Sequence, residues 1–392
     1  MTAGHGVHAV RVAVIADMVE EGWPSMDLVA EMLMDGLRRD EAVHAALVRA
    51  PLRRRLSRPD GNGRLLTVDR IVNRYWDYGR WLRAHAPQAD VHHIVDHSYA
   101  HLAAGLPAGR VVVTCHDTDA FRTVLMPGQR ESSLPQPLVR RTLRGLQRAA
   151  VVACGSVATR DELVRHEAVD PSRLVVVPYG VHPACSDAAD AEADAEAARL
   201  LARLPGDYLL HVGSAIPRKR LDLLIEAFSR VARDRPAVTL VRAGGDLTAG
   251  QRALAARLGL EGRLVELPFV SRRVLSAVYR RAALVVLPSD REGFGLPLVE
   301  AMACGTPVLA SDVAVLKEVG GDAVEYCAAG DAVQWHQAIG ALLDERQADP
   351  ERWQARRRAG LSRASRFSWA SYAEGMAAIY RRVADAHRDV GR

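Results

Sequence analysis

The sequence predicts an α/β protein made of two doubly wound parallel-sheet halves, and three observations carry that expectation. Short, nearly continuous runs of Val, Ile, Leu and Ala alternate with longer stretches of helical period, the pattern of strands covered on both faces. The alternation occurs twice, on either side of a segment from His182 to Pro205 that holds Pro183, a run of Ala and Asp, and no strand signal. The length of 392 residues corresponds to two or three domains of about 150 residues each.

The elements follow in order. Val10 to Ala16 reads as a strand and Asp27 to Arg38 as a helix. Val91 to Val95, Val111 to Cys115, Ala150 to Cys154 and Leu174 to Val177 read as further strands, with a helical pattern from Leu138 to Gln147 whose basic residues share a face. Ala188 to Leu204 reads as one exposed helix in the connection. The second series runs through strands at Tyr208 to Gly213, Val238 to Ala243, Val265 to Leu267, Leu284 to Leu287 and Val308 to Ala310. Helices at Leu221 to Arg233, Thr248 to Leu258 and Val274 to Arg281 separate the first of these. The tail carries Tyr372, Met376, Ile379, Tyr380 and Val383 at helical spacing, which predicts an amphipathic C-terminal helix.

Composition excludes several classes. Apolar residues are 49% and charged residues 25%, so the chain is neither disordered nor collagen-like. Aromatic residues are only 5%, so Ala, Val and Leu must fill most of the core. Lys plus Arg is 52 against 47 acids, a net charge of +5 that is too small to argue for nucleic acid. Met1 to His5 does not open a signal peptide, and no apolar run is long enough for a membrane span. Five scattered cysteines without a CxxC pair read as reduced thiols. The expected location is the cytoplasm, with a position at the inner face of the membrane kept open by two arginine patches. These are Arg140, Arg141, Arg144 and Arg148 on the predicted helix, and Arg53, Arg54, Arg55 and Arg58.

The stretch from Leu284 to Val308 carries the most chemistry. A buried strand ends at Pro288 and opens a loop holding Glu292, Gly293, Phe294 and Gly295. Pro297 suits the first turn of the following helix, which carries Glu300 and stops at Gly305 and Pro307. Glycines before a helix N-terminus let backbone N–H groups approach an anion, and the helix dipole favours negative charge there. A tight turn with two solvated glutamates would give the same local pattern. The full string LVVLPSDREGFGLPLVEAMACGTPV is more specific than its parts. It resembles the EGFGLPxxEAMAxGxPV signature of retaining glycosyltransferases of family GT4, with the spacing of its two glutamates intact at Glu292 and Glu300.

That resemblance implies a GT-B fold: two Rossmann-like domains facing a cleft, with a C-terminal helix crossing back. The implied limits are 1–182 plus 370–392 for the acceptor-side domain, 183–205 for a connector and 206–369 for the nucleotide-sugar domain. LLHVGSAIPRKRLDLLIEAF, from Leu209 to Phe228, is similar to the family's first strand and loop of that second domain. It implies Gly213 near the donor, and Arg218 and Lys219 on its diphosphate. Two adjacent cations after a strand suit a dianion independently of the family. The resemblance further implies that Gly293, Phe294 and Gly295 meet the diphosphate. Glu300 would hold the ribose, with Leu296 alongside, and backbone of Phe269 and Val270 would meet the base. Glu292 would contact sugar hydroxyls.

In the N-terminal half, VVVTCHDTDAF from Val111 to Phe121 resembles the family's strand ending in His-Asp. It implies His116 facing the donor sugar and Asp117 organising its loop. Gly22, Trp23, His97 and Tyr99 join Asp117 on the acceptor side. The first loop, DMVEEGWPSMD, departs from the family's paired glycines. His93, His97 and His101 are spaced by four, but they straddle a strand and a loop, so no metal site is expected. No cofactor is expected either.

The implied reaction is transfer of a sugar from a nucleotide diphosphate sugar, UDP- or GDP-linked, to an unidentified hydroxyl acceptor. Anomeric configuration would be retained through front-face displacement. His116, Lys219 and Glu292 are the candidate catalytic residues. The alternatives are a GT-B sugar-nucleotide epimerase, a two-carboxylate glycosidase and a non-catalytic nucleotide-sugar-binding protein.

Overall fold

A computed structural model describes residues 9–58, 63–126 and 134–388. They form two compact units. The first comprises residues up to Gly180 together with the segment from Trp369 onward, and the second runs from Val181 to Ser368.

In the first unit, β1 (Val10–Ile15) leads through a 3-10 turn at Val19–Glu21 into α1 (Pro24–Leu37), and β2 (Val43–Val48) follows. Next come α2 (Arg64–Val72), a π-helical turn at Asn73–Asp77, α3 (Tyr78–His85), β3 (Val91–Ile94) and a 3-10 segment at His97–Gly105. After β4 (Val111–Cys115) come the short α4 (Arg122–Leu125), α5 (Gln136–Arg148), β5 (Val151–Cys154), α6 (Val157–Arg165) and β6 (Leu174–Val176). The strands form one sheet in the order β2-β1-β3-β4-β5-β6, every pair parallel. Strand order reverses between β1 and β3, and ligands of open α/β sheets bind beyond the carboxyl ends at such a point.

Close packing fixes this unit. A Cβ on Gly145 of α5 would lie 2.0 Å from the carbonyl oxygen of Ala100. Because the obstacle is backbone, Gly145→Ala should destabilise the unit by at least about 2 kcal/mol, lowering its Tm by roughly 4–8 °C. Differential scanning calorimetry checks this, and an unchanged Tm would refute the close approach.

In the second unit, α7 (Ala191–Leu201) precedes β7 (Tyr208–Val212), α8 (Leu221–Asp234), β8 (Thr239–Ala243) and α9 (Ala249–Arg257). Then come β9 (Leu264–Glu266), α10 (Arg272–Arg281), β10 (Leu284–Leu287), α11 (Leu296–Ala303), β11 (Val308–Ser311), α12 (Ala314–Gly320) and β12 (Glu325–Cys327). Two helices close the unit, α13 (Ala332–Ala348) and α14 (Pro350–Ala364). The sheet order is β12-β11-β10-β7-β8-β9, with reversal between β10 and β7. Local sequence sets the helix starts. Thr248 and Gln251 form a reciprocal capping box on α9, Ser271 caps α10 and Asp331 caps α13.

The last helix, α15 (Trp369–Arg388), lies on the first unit. Tyr380 hydroxyl and His93 Nδ1 are 2.7 Å apart, and Arg381 pairs with Asp40 at 2.9 Å. Its buried face holds Tyr372, Met376, Ile379, Tyr380 and Val383, the residues whose spacing predicted it.

Two expectations change. The Ala-rich helix is shorter than expected and packs down along one side. α7 buries Ala193 and Ala197 and is tied to α10 by Arg280–Asp194 and Arg273–Asp190 pairs, both at 2.7 Å. The strands β2 and β12 have no counterpart in the sequence reading. Both lie at sheet margins and are interrupted by exposed or half-exposed residues, so neither shows the apolar run of a central strand. Among the described residues, no helix is long and apolar enough to cross a membrane, and all five cysteines are free and buried.

Candidate active site

The reversal between β10 and β7 brings two loops together. After β7, Gly213 adopts φ +151°, and a 3-10 turn at Pro217–Lys219 presents Arg218 and Lys219. After β10 the loop carries Ser289 and Glu292, and Gly295 caps α11 at φ +92°, a left-handed conformation suited to glycine. The loops are joined by a backbone bond from the Asp290 amide to the Arg218 carbonyl at 2.9 Å.

Glu292 stands at the centre. Lys219 Nζ lies 2.5 Å from Oε1, Arg218 Nη1 lies 3.1 Å from Oε2, and the Ser289 hydroxyl donates to Oε1 at 2.7 Å. The Glu292 side chain is only 8% exposed. Burial alone would raise its pKa, but Lys219 and Arg218 outweigh that and hold it at about 2. A desolvated carboxylate thus occupies both cations of the turn.

Two residues absent from the sequence reading support the turn. Arg242, buried on β8, donates to the carbonyls of Gly213 and Gly244, each at 3.1 Å, and to that of Gly245. It pins the glycine turns that end β7 and β8. His211, buried on β7, has no hydrogen-bond partner on either ring nitrogen among the described residues. Burial, reinforced by Lys219, lowers its pKa to about 3 and keeps it neutral. A charged residue inside an apolar strand, as in LVRAGG, was the available signal for Arg242.

The other expected nucleotide residues are spread around this centre. Glu300 on α11 accepts from the Tyr279 hydroxyl at 3.0 Å, and burial raises its pKa. Leu296 is the first residue of α11. The Phe294 side chain is buried against Phe367, so this residue offers a ligand its backbone rather than its ring. Phe269 and Val270 follow β9, two strands from β7, and Phe269 is 93% exposed.

The first unit gathers a second cluster beyond the carboxyl ends of β1, β3 and β4. His97 Nδ1 accepts the His116 backbone N–H at 3.2 Å, and its Nε2 lies 3.6 Å from Asp117. His116 is fully engaged by its own chain. Nε2 donates to the Val95 carbonyl at 2.8 Å, and Nδ1 accepts from the Tyr179 hydroxyl at 2.6 Å. Burial lowers its pKa to about 4 and keeps it neutral. Contact of its ring with a substrate would require one of these bonds to be exchanged.

The residues assigned to the acceptor side differ in exposure from one another. Tyr99 is buried, its hydroxyl donating to Glu21 at 2.8 Å. Glu21 also pairs with Arg74 at 2.5 Å, and the Arg74 guanidinium lies 4.9 Å over the Trp23 ring. Trp23 therefore packs inward instead of standing open. Gly22 serves a left-handed turn at φ +67°, with nothing among the described residues within 4 Å of where its Cβ would stand. Asp17, just after β1, is 1% exposed, and neither carboxyl oxygen has a hydrogen-bond partner among the described residues.

The three spaced histidines do not converge. His93 meets Thr114 and Tyr380, His101 meets the Arg74 carbonyl, and His97 faces Asp96 and Asp117. Among the described residues, no group of three or more His, Cys, Asp and Glu is placed to hold a metal ion.

Residues 30–184 match the family described as Glycosyltransferase Family 4, and residues 193–359 match Glycosyl transferases group 1. A D-inositol 3-phosphate glycosyltransferase of Kineococcus radiotolerans is 32% identical over 330 residues, covering 77% of this chain and 74% of that protein. The enzyme of the same name from Segniliparus rotundus is 34% identical over 289 residues, covering 69% of this chain but only 60% of that protein. Among solved structures, sucrose-phosphate synthase from Thermosynechococcus elongatus superposes with TM-score 0.74 at 19% identity, covering 96% of this chain and all of that one. Anabaena HepE in complex with UDP and glucose gives 0.71 at 17% identity, covering 94% of this chain and 99% of that one.

Proposed function

The chain belongs to glycosyltransferase family 4, and from that premise we propose that it transfers a sugar from a nucleoside diphosphate sugar to an acceptor hydroxyl with retention of configuration. The observation that carries this is the cluster of Lys219, Arg218 and Glu292 at the strand reversal of the second unit, beside a glycine-capped helix N-terminus. Charge builds on the departing diphosphate, and preorganised cations and backbone amides stabilise it there most effectively. The diphosphate takes over Lys219 and Arg218 from Glu292. The released carboxylate is then free to accept hydrogen bonds from sugar hydroxyls. Glu300 holds the ribose and the backbone near Phe269 meets the base. The leaving phosphate assists removal of the acceptor proton.

The acceptor in this proposal is a neutral polyol or sugar. Support comes from the end of the first sheet where β1, β3 and β4 finish. Asp96 and Asp117 gather there, while Glu21 is paired with Arg74, Arg49 is committed to Asp27, and burial holds Asp17 protonated up to about pH 7. Negative charge opposes a phosphorylated acceptor. The relatives are named for D-inositol 3-phosphate, so paired assays with inositol and inositol 3-phosphate are decisive. A higher kcat/KM is expected for neutral polyols, and a preference for the phosphate ester would overturn the acceptor class.

For the donor, a thermal-shift screen of UDP, GDP, ADP and TDP should show one nucleotide raising Tm by selective binding to the folded state. No shift with any of them, and no transfer from their sugars, would refute the donor site. Incubation with donor alone separates an epimerase, which would consume it without an acceptor.

A further inference from the structure

The amino-terminal end of the first sheet carries a cavity that the proposed transfer does not use. It measures about 580 Å³ and is bounded by α3, the His97–Gly105 segment, α5 and the residues leading into β1, β3 and β4. Its lining combines apolar groups, among them Leu82, Leu102 and Leu106, with Arg11, Arg83, Arg110 and Arg141. Arg11 is committed to Asp90 at 2.9 Å. Arg83, Arg110 and Arg141 have no side-chain ion pair among the described residues.

His92 forms part of the inner wall. It is 6% exposed, and its ring makes no hydrogen bond among the described residues. Burial, with Arg110 beside it, lowers its pKa and leaves it neutral, with one N–H to give and one lone pair to fill. A buried polar group without a partner is costly, so a ligand that supplies one gains from the contact.

We propose that this cavity binds the phosphate monoester group of a small organic molecule or lipid, with Arg110 and Arg141 on the phosphate and His92 on a ligand hydroxyl or phosphate oxygen. Guanidinium forks match phosphate oxygens two at a time. Three of them line the cavity without an ion pair among the described residues, and a dianion would complement that positive charge. The volume lies in the usual range for small-molecule pockets, so the phosphate comes attached to an organic body that meets the leucines. Strands of four to six residues place this cavity about 13–20 Å from the Asp17 and His97 end of the sheet. It is therefore separate from the acceptor cluster.

Titration calorimetry with glycerol 3-phosphate tests the site, done in a Lys219→Ala background so that the second unit's cations do not contribute. Arg110→Ala with Arg141→Ala is expected to weaken binding at least tenfold, and His92→Gln severalfold. Circular dichroism and an unchanged Tm verify folding, since both arginines reach solvent. Sedimentation with phosphatidylcholine vesicles containing phosphatidic acid forms the second arm. Arginine-dependent binding of glycerol 3-phosphate identifies a free metabolite. Arginine-dependent vesicle binding alone identifies a lipid headgroup. Equal binding by parent and variant, or binding of neither probe, overturns the proposal.

Discussion

Lys219→Ala is expected to lower kcat for sugar transfer by about 100-fold to 1000-fold, the loss typical of removing one preorganised group from a developing anion. The fold should survive. Lys219 is buried at the end of its turn, but without it Glu292 keeps Arg218 and the Ser289 hydroxyl as partners. Because the diphosphate gains charge as the glycosidic bond breaks, kcat should fall more than donor KM rises. Arg218→Ala should cost less in turnover and more in loop order, since Arg218 also donates to the Arg291 carbonyl at 2.8 Å. Steady-state kinetics with a folded variant decide the matter. Turnover within tenfold of the parent would sink the assignment of the diphosphate site.

Asp17→Asn is expected to stabilise the first unit at pH 8 and to have almost no effect at pH 4. Burial, helped by Asp96 and Asp27, raises the Asp17 pKa from 3.8 to about 7. The unfolded chain loses this proton near 3.8 and the folded chain near 7, so stability falls as pH rises between those values and stays reduced above them. Asparagine carries no such penalty. The gain above pH 7 is on the order of 4 kcal/mol, or roughly 8–16 °C in Tm for a unit of this size. Melting curves from pH 4 to pH 8 test the sign directly. Parallel curves for parent and variant would show that Asp17 is ionised in the folded state. A carboxyl kept at such cost beside the acceptor cluster is what a functional group looks like in a stability measurement. The same substitution should accordingly lower kcat/KM for the acceptor.

Much of the second unit was legible in the sequence. Its central strands are buried on both faces, so each is mostly apolar, broken only by single polar residues such as His211 and Arg242, and Gly295, Pro297 and Gly305 punctuate α11 with residues that only particular backbone positions favour. The pairing of Glu292 with Lys219 was not legible, because 73 residues separate them in the chain. The edge strands β2 and β12 were missed for the opposite reason. Strands at a margin carry mixed polarity and lack the run that marks a central strand.

The first unit shows where local reading stops. His116, His97 and Tyr99 were visible as polar residues after strands, where ligands bind. Whether a polar residue in that position faces a ligand or its own chain depends on what folds over it. Tyr99 turns inward because Arg74, from a π-helical turn, brings Glu21 to its hydroxyl. His116 is closed off by Tyr179 and the Val95 carbonyl.

By itself, then, the sequence determined the period and punctuation of the elements, the two-unit α/β class and the motif of the Glu292 loop, since each rests on neighbours within a few residues. Tertiary structure alone decided the salt bridge between Glu292 and the Arg218–Lys219 turn, the burial of Asp17 and the arginine-lined cavity at the far end of the first sheet. Charge and burial depend on distance in space, and sheet order rather than chain order sets that distance.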